Sequence, residues 1–200
     1  MPLTNAQIER YSRQIIVPHL SGRAQERILA SRIVIAGDPR DIEAPLAYLV
    51  GAGVGTIIVR LSGAQSGFAK KIAASHESNP DVSVNIADGP QGPVELALVI
   101  FGSEAVRKVA DEIRADPDAR SLVIARLDAP GQIAVIPDPH EQRIADTPML
   151  APVGARAEAA DFIAMLATAE AFKLLAGYEE NPSPSIIEFN GYETSVRANP

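Results

Sequence analysis

Apolar residues fall along the chain in short continuous runs, separated by stretches in which they recur at helical spacing. The clearest run is Ile33-Val34-Ile35-Ala36, closing on Gly37; its β-branched composition predicts a parallel strand buried on both faces. Residues 41–52 read as a helix with Pro45 in its first turn, ended by Gly53-Val54-Gly55, and 56–59 as the next strand. Residues 32–59 thus predict a βαβ unit with a right-handed crossover. The alternation continues with a helix over 68–78 stopped by Asn79-Pro80, strands over 82–86 and 96–101, a helix over 104–114 and strands over 122–125 and 132–136. Residues 138–154 show no period. The longest helix is predicted over 155–176, with Phe162, Leu166, Ala169, Phe172 and Leu175 on one face, widened by Ile163, Met165 and Leu174, and with Gly177 as its C-cap. Strands over 186–189 and 192–196 can pair as a hairpin across Asn190-Gly191.

The N-terminal stretch is different in kind. Thr4 and Gln7 have capping-box spacing, which predicts a short helix through Arg13. Ile15-Ile16-Val17, followed by Pro18, reads as extended, and Ser21 as the cap of a helix containing Ile28 and Leu29. Strands alternating with helices predict an α/β fold: a Rossmann-like, doubly wound, mainly parallel sheet with a C-terminal antiparallel hairpin. One domain over 1–200 is expected, a helical arm over 1–30 leading into an α/β core over 31–200.

Composition narrows the chemistry. With 46% hydrophobic and 22% charged residues the chain can build a core, and a net charge of −7 disfavours nucleic acid as a partner. No apolar run reaches the roughly 18 residues of a membrane span, and residues 1–10 lack an apolar signal core, so a cytoplasmic protein is the expectation. The absence of cysteine removes disulfides, thiolate-ligated zinc and a cysteine nucleophile. His19, His76 and His140 have no metal-ligand spacing.

A nucleotide-binding α/β protein keeps its phosphate loop at the first strand–turn–helix, where glycines let backbone N–H groups and the helix N-terminus face the phosphates. The turn here is Gly37-Asp38-Pro39-Arg40-Asp41-Ile42. Pro39 has no N–H, Ile42 is bulky where close approach is needed, and Asp38 and Asp41 satisfy the positive helix end themselves. Asp41 reads as a helix cap and Arg40 as a solvated charge.

The segment Glu9-Arg10-Tyr11-Ser12-Arg13-Gln14-Ile15-Ile16-Val17-Pro18 resembles the opening of the ThiF/MoeB/HesA family, the bacterial relatives of ubiquitin-activating enzymes. Ser31 to Gly37, Ala52-Gly53-Val54-Gly55-Thr56-Ile57, Asn79-Pro80, Gly131 to Val135 and Lys173 to Tyr178 extend the resemblance in order along the chain. It implies the α/β fold and, as activity, adenylation of the C-terminal glycine of a ubiquitin-like sulfur carrier or modifier with ATP and magnesium. The implied catalytic positions are mostly absent. The family's three loop glycines fall on Gly37, Pro39 and Ile42, its ribose-binding acid on Arg60 or Leu61, and its magnesium-binding Asp on Gly102 or Ser103. The zinc-ligand cysteines are missing.

Two features persist. Arg13 matches the family arginine that reaches across the dimer to the partner's phosphates; it reads equally as an interface or surface ion-pair residue. Lys70 or Lys71 corresponds to the family's phosphate lysine, or to a solvated helix face. The resemblance thus implies a non-catalytic protein, a pseudoenzyme with no catalytic residue or metal ligand of its own. It would work as a homodimer or as the inactive heterodimer partner of an active adenylyltransferase. The alternative is a divergent adenylyltransferase that uses ATP and Mg by another route. A scaffold unrelated to ubiquitin-like proteins is the third reading.

Overall fold

A computed structural model of the chain describes residues 2–18, 20–62, 67–87, 93–101, 112, 120–128, 131–138, 158–178, 182–189 and 194–198. The β-branched runs form β1 (Arg32–Gly37), β2 (Thr56–Leu61), β3 (Ser83–Ile86), β4 (Leu96–Phe101), β5 (Leu122–Arg126), β6 (Gly131–Ile136), β7 (Ser185–Phe189) and β8 (Thr194–Ala198). They join one sheet in the order β3-β2-β1-β4-β5-β6-β7-β8. β1 to β5 are parallel, and β6, β7 and β8 follow in antiparallel pairing. This is the expected Rossmann-like, doubly wound α/β fold with a mostly parallel sheet and an antiparallel C-terminal strand pair. The hairpin register differs from expectation. Phe189 pairs with Thr194, so four residues separate the strands rather than the Asn190-Gly191 dipeptide alone. Those residues, like the segments predicted as a helix over 104–114 (Glu112 apart) and a loop over 139–154, lie outside the described residues.

Both sheet faces are apolar, as parallel strands require. Ile33, Ile35, Ile57, Val59, Leu96, Leu98 and Ile100 join one cluster with α3 (Gly22–Ala30), α4 (Pro39–Ala52) and α6 (Ala160–Ala176). Val34, Ala36, Ile58, Ala97, Val99 and Ile124 lie in a second cluster on the opposite face. α5 (Phe68–Ser78) packs beside α4 and β3.

Three helices differ from their sequence reading. α4 begins at Pro39, not Asp41, because Pro at the first helical position has its φ set for the helix and no N–H to satisfy. Pro45 therefore sits in the helix interior, where its missing N–H forfeits a bond to the Asp41 carbonyl. Burial of Pro45, Leu46 and Leu49 on one face holds the helix together there. α6 is helical from Ala160, and residues 155–157 lie outside the described set. Its fully buried side is a seam of small residues, Ala160, Ala164, Ala167, Thr168 and Ala171, with Ile163 and Phe172; of the predicted face Phe172 is buried and Leu166 and Leu175 are partly so. Alanines let the axis approach the sheet closely. Phe162 is left 53% exposed against Phe189, while Phe172 meets Tyr48 of α4 edge-on at 6.0 Å.

The N-terminal residues form α1 (Asn5–Arg10), with the predicted Thr4–Gln7 capping box, and a separate turn, α2 (Ser12–Ile15), rather than one helix to Arg13. Ile16 continues in the α region, so residues 15–17 are not extended. Ser21 caps α3 as its spacing predicts. Tyr11, between α1 and α2, is 1% exposed and packs on Gly53 at the end of α4. Burial raises the pKa of its phenol above the ordinary 10.0; a hydrogen bond with Asn79 opposes the rise and the Asp81 carboxylate adds to it. A pKa raised on folding gives stability that is complete below the unfolded value and lost as pH climbs through the folded one. The thermal midpoint is therefore expected to fall above pH 10 more steeply in the wild type than in Tyr11→Phe. Parallel pH profiles by circular dichroism would refute this.

Candidate functional site

In an open α/β sheet the ligand crevice lies at the carboxyl ends of the strands, where strand order reverses. Here that point is between β1 and β4, with Gly37 paired to Ile100. A Cβ on Gly37 would sit 2.6 Å from the Ile100 carbonyl oxygen and press on Cγ2 of Ile42. Gly37 is thus held by close packing of two strands and a helix, whatever binds above it.

The turn that follows turns its polar groups inward. Asp38 is the N-cap of α4 but makes no side-chain cap; its carboxylate accepts a hydrogen bond from the Ser62 hydroxyl, just beyond β2. Pro39 supplies no N–H. The N–H groups of Asp41 and Ile42 both donate to the Asp38 carbonyl, at 2.9 and 3.2 Å. Among the described residues this leaves the Arg40 N–H as the first-turn donor without a backbone acceptor. Asp41 lies in the first turn, 8% exposed, and is not the N-cap expected of it. Ile42, fully buried, fills the space over Gly37. With Pro39 lacking an N–H, Ile42 filling the space over Gly37, and Asp38 and Asp41 at the helix end, the turn lacks the open glycine cradle that nucleotide phosphates use.

Beside the turn, Arg60 of β2 occupies one of the two positions at which the family resemblance places a ribose-binding acid. Its side chain is 9% exposed, and Nη2 lies 2.6 Å from Oε2 of Glu112, which is 61% exposed. Arg126 ends β5 and pairs with Asp128, Nε to Oδ1 at 2.6 Å, both side chains under a tenth exposed. The register Arg60–Ala36–Val99–Ile124 puts Arg60 and Arg126 on one sheet face, opposite α4. On that face Gln132 donates to Glu188 at 2.8 Å. Among the described residues no group of three His, Asp or Glu side chains is placed to hold a metal ion.

The four residues singled out by sequence are not brought together. Gly37 lies at the strand ends. Lys70 is exposed in the first turn of α5, beyond the same end of β2; Lys71 follows it in that helix. Arg13 is exposed on α2 at the other end of the sheet, beside the C-terminus of α4, where Gln14 Nε2 reaches the Gly51 carbonyl. Those 14 helical residues put about 20 Å between Arg13's arm and Gly37. The Asp38–Ser62 bond and the ion pairs of Arg60 and Arg126 were not foreseen. Their signal is a lone arginine near the end of an apolar strand, present in both Thr56–Leu61 and Leu122–Arg126.

The geometry defines a Rossmann-like α/β protein whose first strand–turn–helix carries Pro39 and Ile42. No family model matches the chain. A stretch of 57 residues, 28% of the chain, is 44% identical to the adenylyltransferase and sulfurtransferase uba4 of Aspergillus fumigatus and equally to that of Pyricularia oryzae. The stretch spans only 11% of those relatives' length. Among solved structures, E. coli MccB with succinimide superposes with a TM-score of 0.68 at 13% identity, covering 94% of this chain and 70% of that one. PaaA gives 0.64 at 16% identity, covering 99% and 75%. MccB with ATP gives 0.64 at 14% identity, covering 95% and 70%. The chain is thus similar in sequence to uba4 over one segment, and in fold to MccB and PaaA over nearly its whole length.

Gly37→Ala is expected to cost about 2 kcal/mol or more, because a carbonyl oxygen of β4 must move to admit the methyl. An unchanged urea midpoint would contradict the close approach.

Proposed function

We propose that this protein is a non-catalytic ThiF/MoeB-like subunit that acts by assembly. It would form a homodimer or pair as the inactive half with an ATP-competent adenylyltransferase for a ubiquitin-like or sulfur-carrier protein. The observation that carries this reading is the β1–α4 turn. Its first-turn amides are spent on Asp38, two carboxylates crowd the helix end, and Ile42 covers Gly37. Such a turn repels phosphates instead of cradling them. Uba4, named as an adenylyltransferase and sulfurtransferase, supports the class of partner.

Assembly is supported by what the arm leaves outside. Arg13 of α2 and Ile16 and Val17 just beyond it are all exposed, within five residues of one another. Ile16 is 78% and Val17 44% exposed. A cation between two aliphatic side chains suits a surface with an anionic group beside an apolar rim. Arg13 lies too far from its own Gly37 to act there. In the partner's site its guanidinium would add positive charge where phosphate charge develops, a contribution of electrostatic type.

Titration calorimetry with Mg-ATP on the folded chain should give no binding tighter than about millimolar, a free energy near −4 kcal/mol. Light scattering should report a dimer, alone or with the adenylyltransferase. In the mixed complex, Arg13→Ala should lower pyrophosphate release by about a hundredfold. Micromolar ATP binding, or a strict monomer that leaves the adenylyltransferase unaffected, would sink the proposal.

A further inference from the structure

We infer that Tyr11 is a positioning residue: it fixes the N-terminal arm so that Arg13, Ile16 and Val17 are held out toward a partner. This rests on the assembly reading of Arg13 given above and names the side chain that makes it work.

α1 and α2 bury none of their own residues, and between them only Tyr11 enters the protein. The arm is thus held by one buried ring, with polar contacts from Gln7 and Arg10 to Asp81 and from Gln14 to the Gly51 carbonyl around it. That ring lies against Gly53, whose φ of +86° suits glycine and where a Cβ would fall 2.6 Å from Tyr11 Cζ. The hydroxyl has partners on both sides. It accepts from Asn79 Nδ2 at 3.0 Å and donates to Asp81 Oδ2 at 3.1 Å. Asn79, 3% exposed, uses the same amide to donate to the Val50 carbonyl at 2.7 Å, which ties the phenol to the end of α4. Asp81 in turn takes a hydrogen bond from Gln7 at 3.3 Å and an ion pair from Arg10, so α1 and the phenol meet on one carboxylate.

Arg13 is two residues beyond Tyr11, inside the turn that Tyr11 begins. Its backbone position is settled by the ring, while its side chain makes no contact that orients it among the described residues. A long, rotamer-rich cation delivered from a fixed backbone loses less freedom on binding than one on a frayed terminus. The arm bears its exposed aliphatic residues for the same reason: their backbone is pre-placed.

The test uses the full chain as wild type, Tyr11→Phe, Asn79→Ala, Arg13→Ala and the double variant Tyr11→Phe/Arg13→Ala. Amide hydrogen exchange over residues 5–15 should quicken roughly five- to tenfold in Tyr11→Phe and in Asn79→Ala, the loss of one or two hydrogen bonds, with β1 and β4 amides unchanged. Pyrophosphate release by the mixed complex should fall in Tyr11→Phe. The double variant should be no worse than Arg13→Ala alone, because the two residues act through one interaction. Losses that multiply, or arm exchange unchanged in both lock variants, overturn the positioning role. Should Arg13→Ala leave the partner unaffected, the assembly reading fails, and the exchange rates still decide separately whether Tyr11 holds the arm. Asn79→Ala releases the hydroxyl without touching the arm, so a folding defect specific to Tyr11→Phe cannot imitate the result.

Discussion

The close approach of β1, β4 and α4 at Gly37 is the contact on which the rest of this structure depends. A single absent side chain lets the Ile100 carbonyl and the Ile42 side chain meet over the strand end. β1 is the central strand, pairing with β2 on one side and β4 on the other, so the position of α4 relative to it sets the geometry of the parallel half. In a nucleotide-binding relative the same approach would leave backbone amides pointing at phosphate. Here Ile42 fills the gap and Pro39 removes a donor. The packing of two strands and a helix by itself accounts for glycine at this position.

Electrostatics around the crevice follow from the same economy. Asp38 and Asp41 sit at the positive end of α4 and occupy it. Arg60 and Arg126, buried in the sheet, each find a carboxylate within ion-pair distance. Removing one member of such a pair leaves a desolvated charge, which explains why cations at these strand ends are kept with partners. Exposed cations stand at both ends of the sheet: Arg40 and Lys70 at this end, Arg13 on the arm at the other.

The sequence disclosed the fold well because parallel strands are buried on both faces and read as unbroken β-branched runs. Ile33 to Ala36 and Leu96 to Phe101 needed no other signal. Pro39 and Ile42 were legible in the turn because they act through their own covalent structure, whereas the N-cap at Asp38 and its bond from Ser62 were not. The sequence misled where tertiary contacts decide. Pro45 looked tolerable only in a first turn, yet a buried face carries it mid-helix. The apolar face read on α6 included Phe162, which stays half-exposed, while the alanines at 160, 164, 167 and 171 take the buried side. The ion pairs join residues far apart in the chain, and no spacing rule reaches across strands. Tyr11 was read as part of a family motif; its fit against Gly53 is visible only in three dimensions.

The alanine seam of α6 carries a consequence for how this chain can vary. Ala167 and Ala171 are fully enclosed, and Ile163 of the same helix rests where Gly131 has no side chain. A surface joined by small groups can shed little volume, and any enlargement meets backbone on the other side. Drift at these positions is therefore one-sided: a methyl is already near the upper limit. Phe162, on the helix's outer side, is under no such limit. The helix thus has one face closed to change and another open to it, and new contacts can be recruited on the open face without disturbing the sheet.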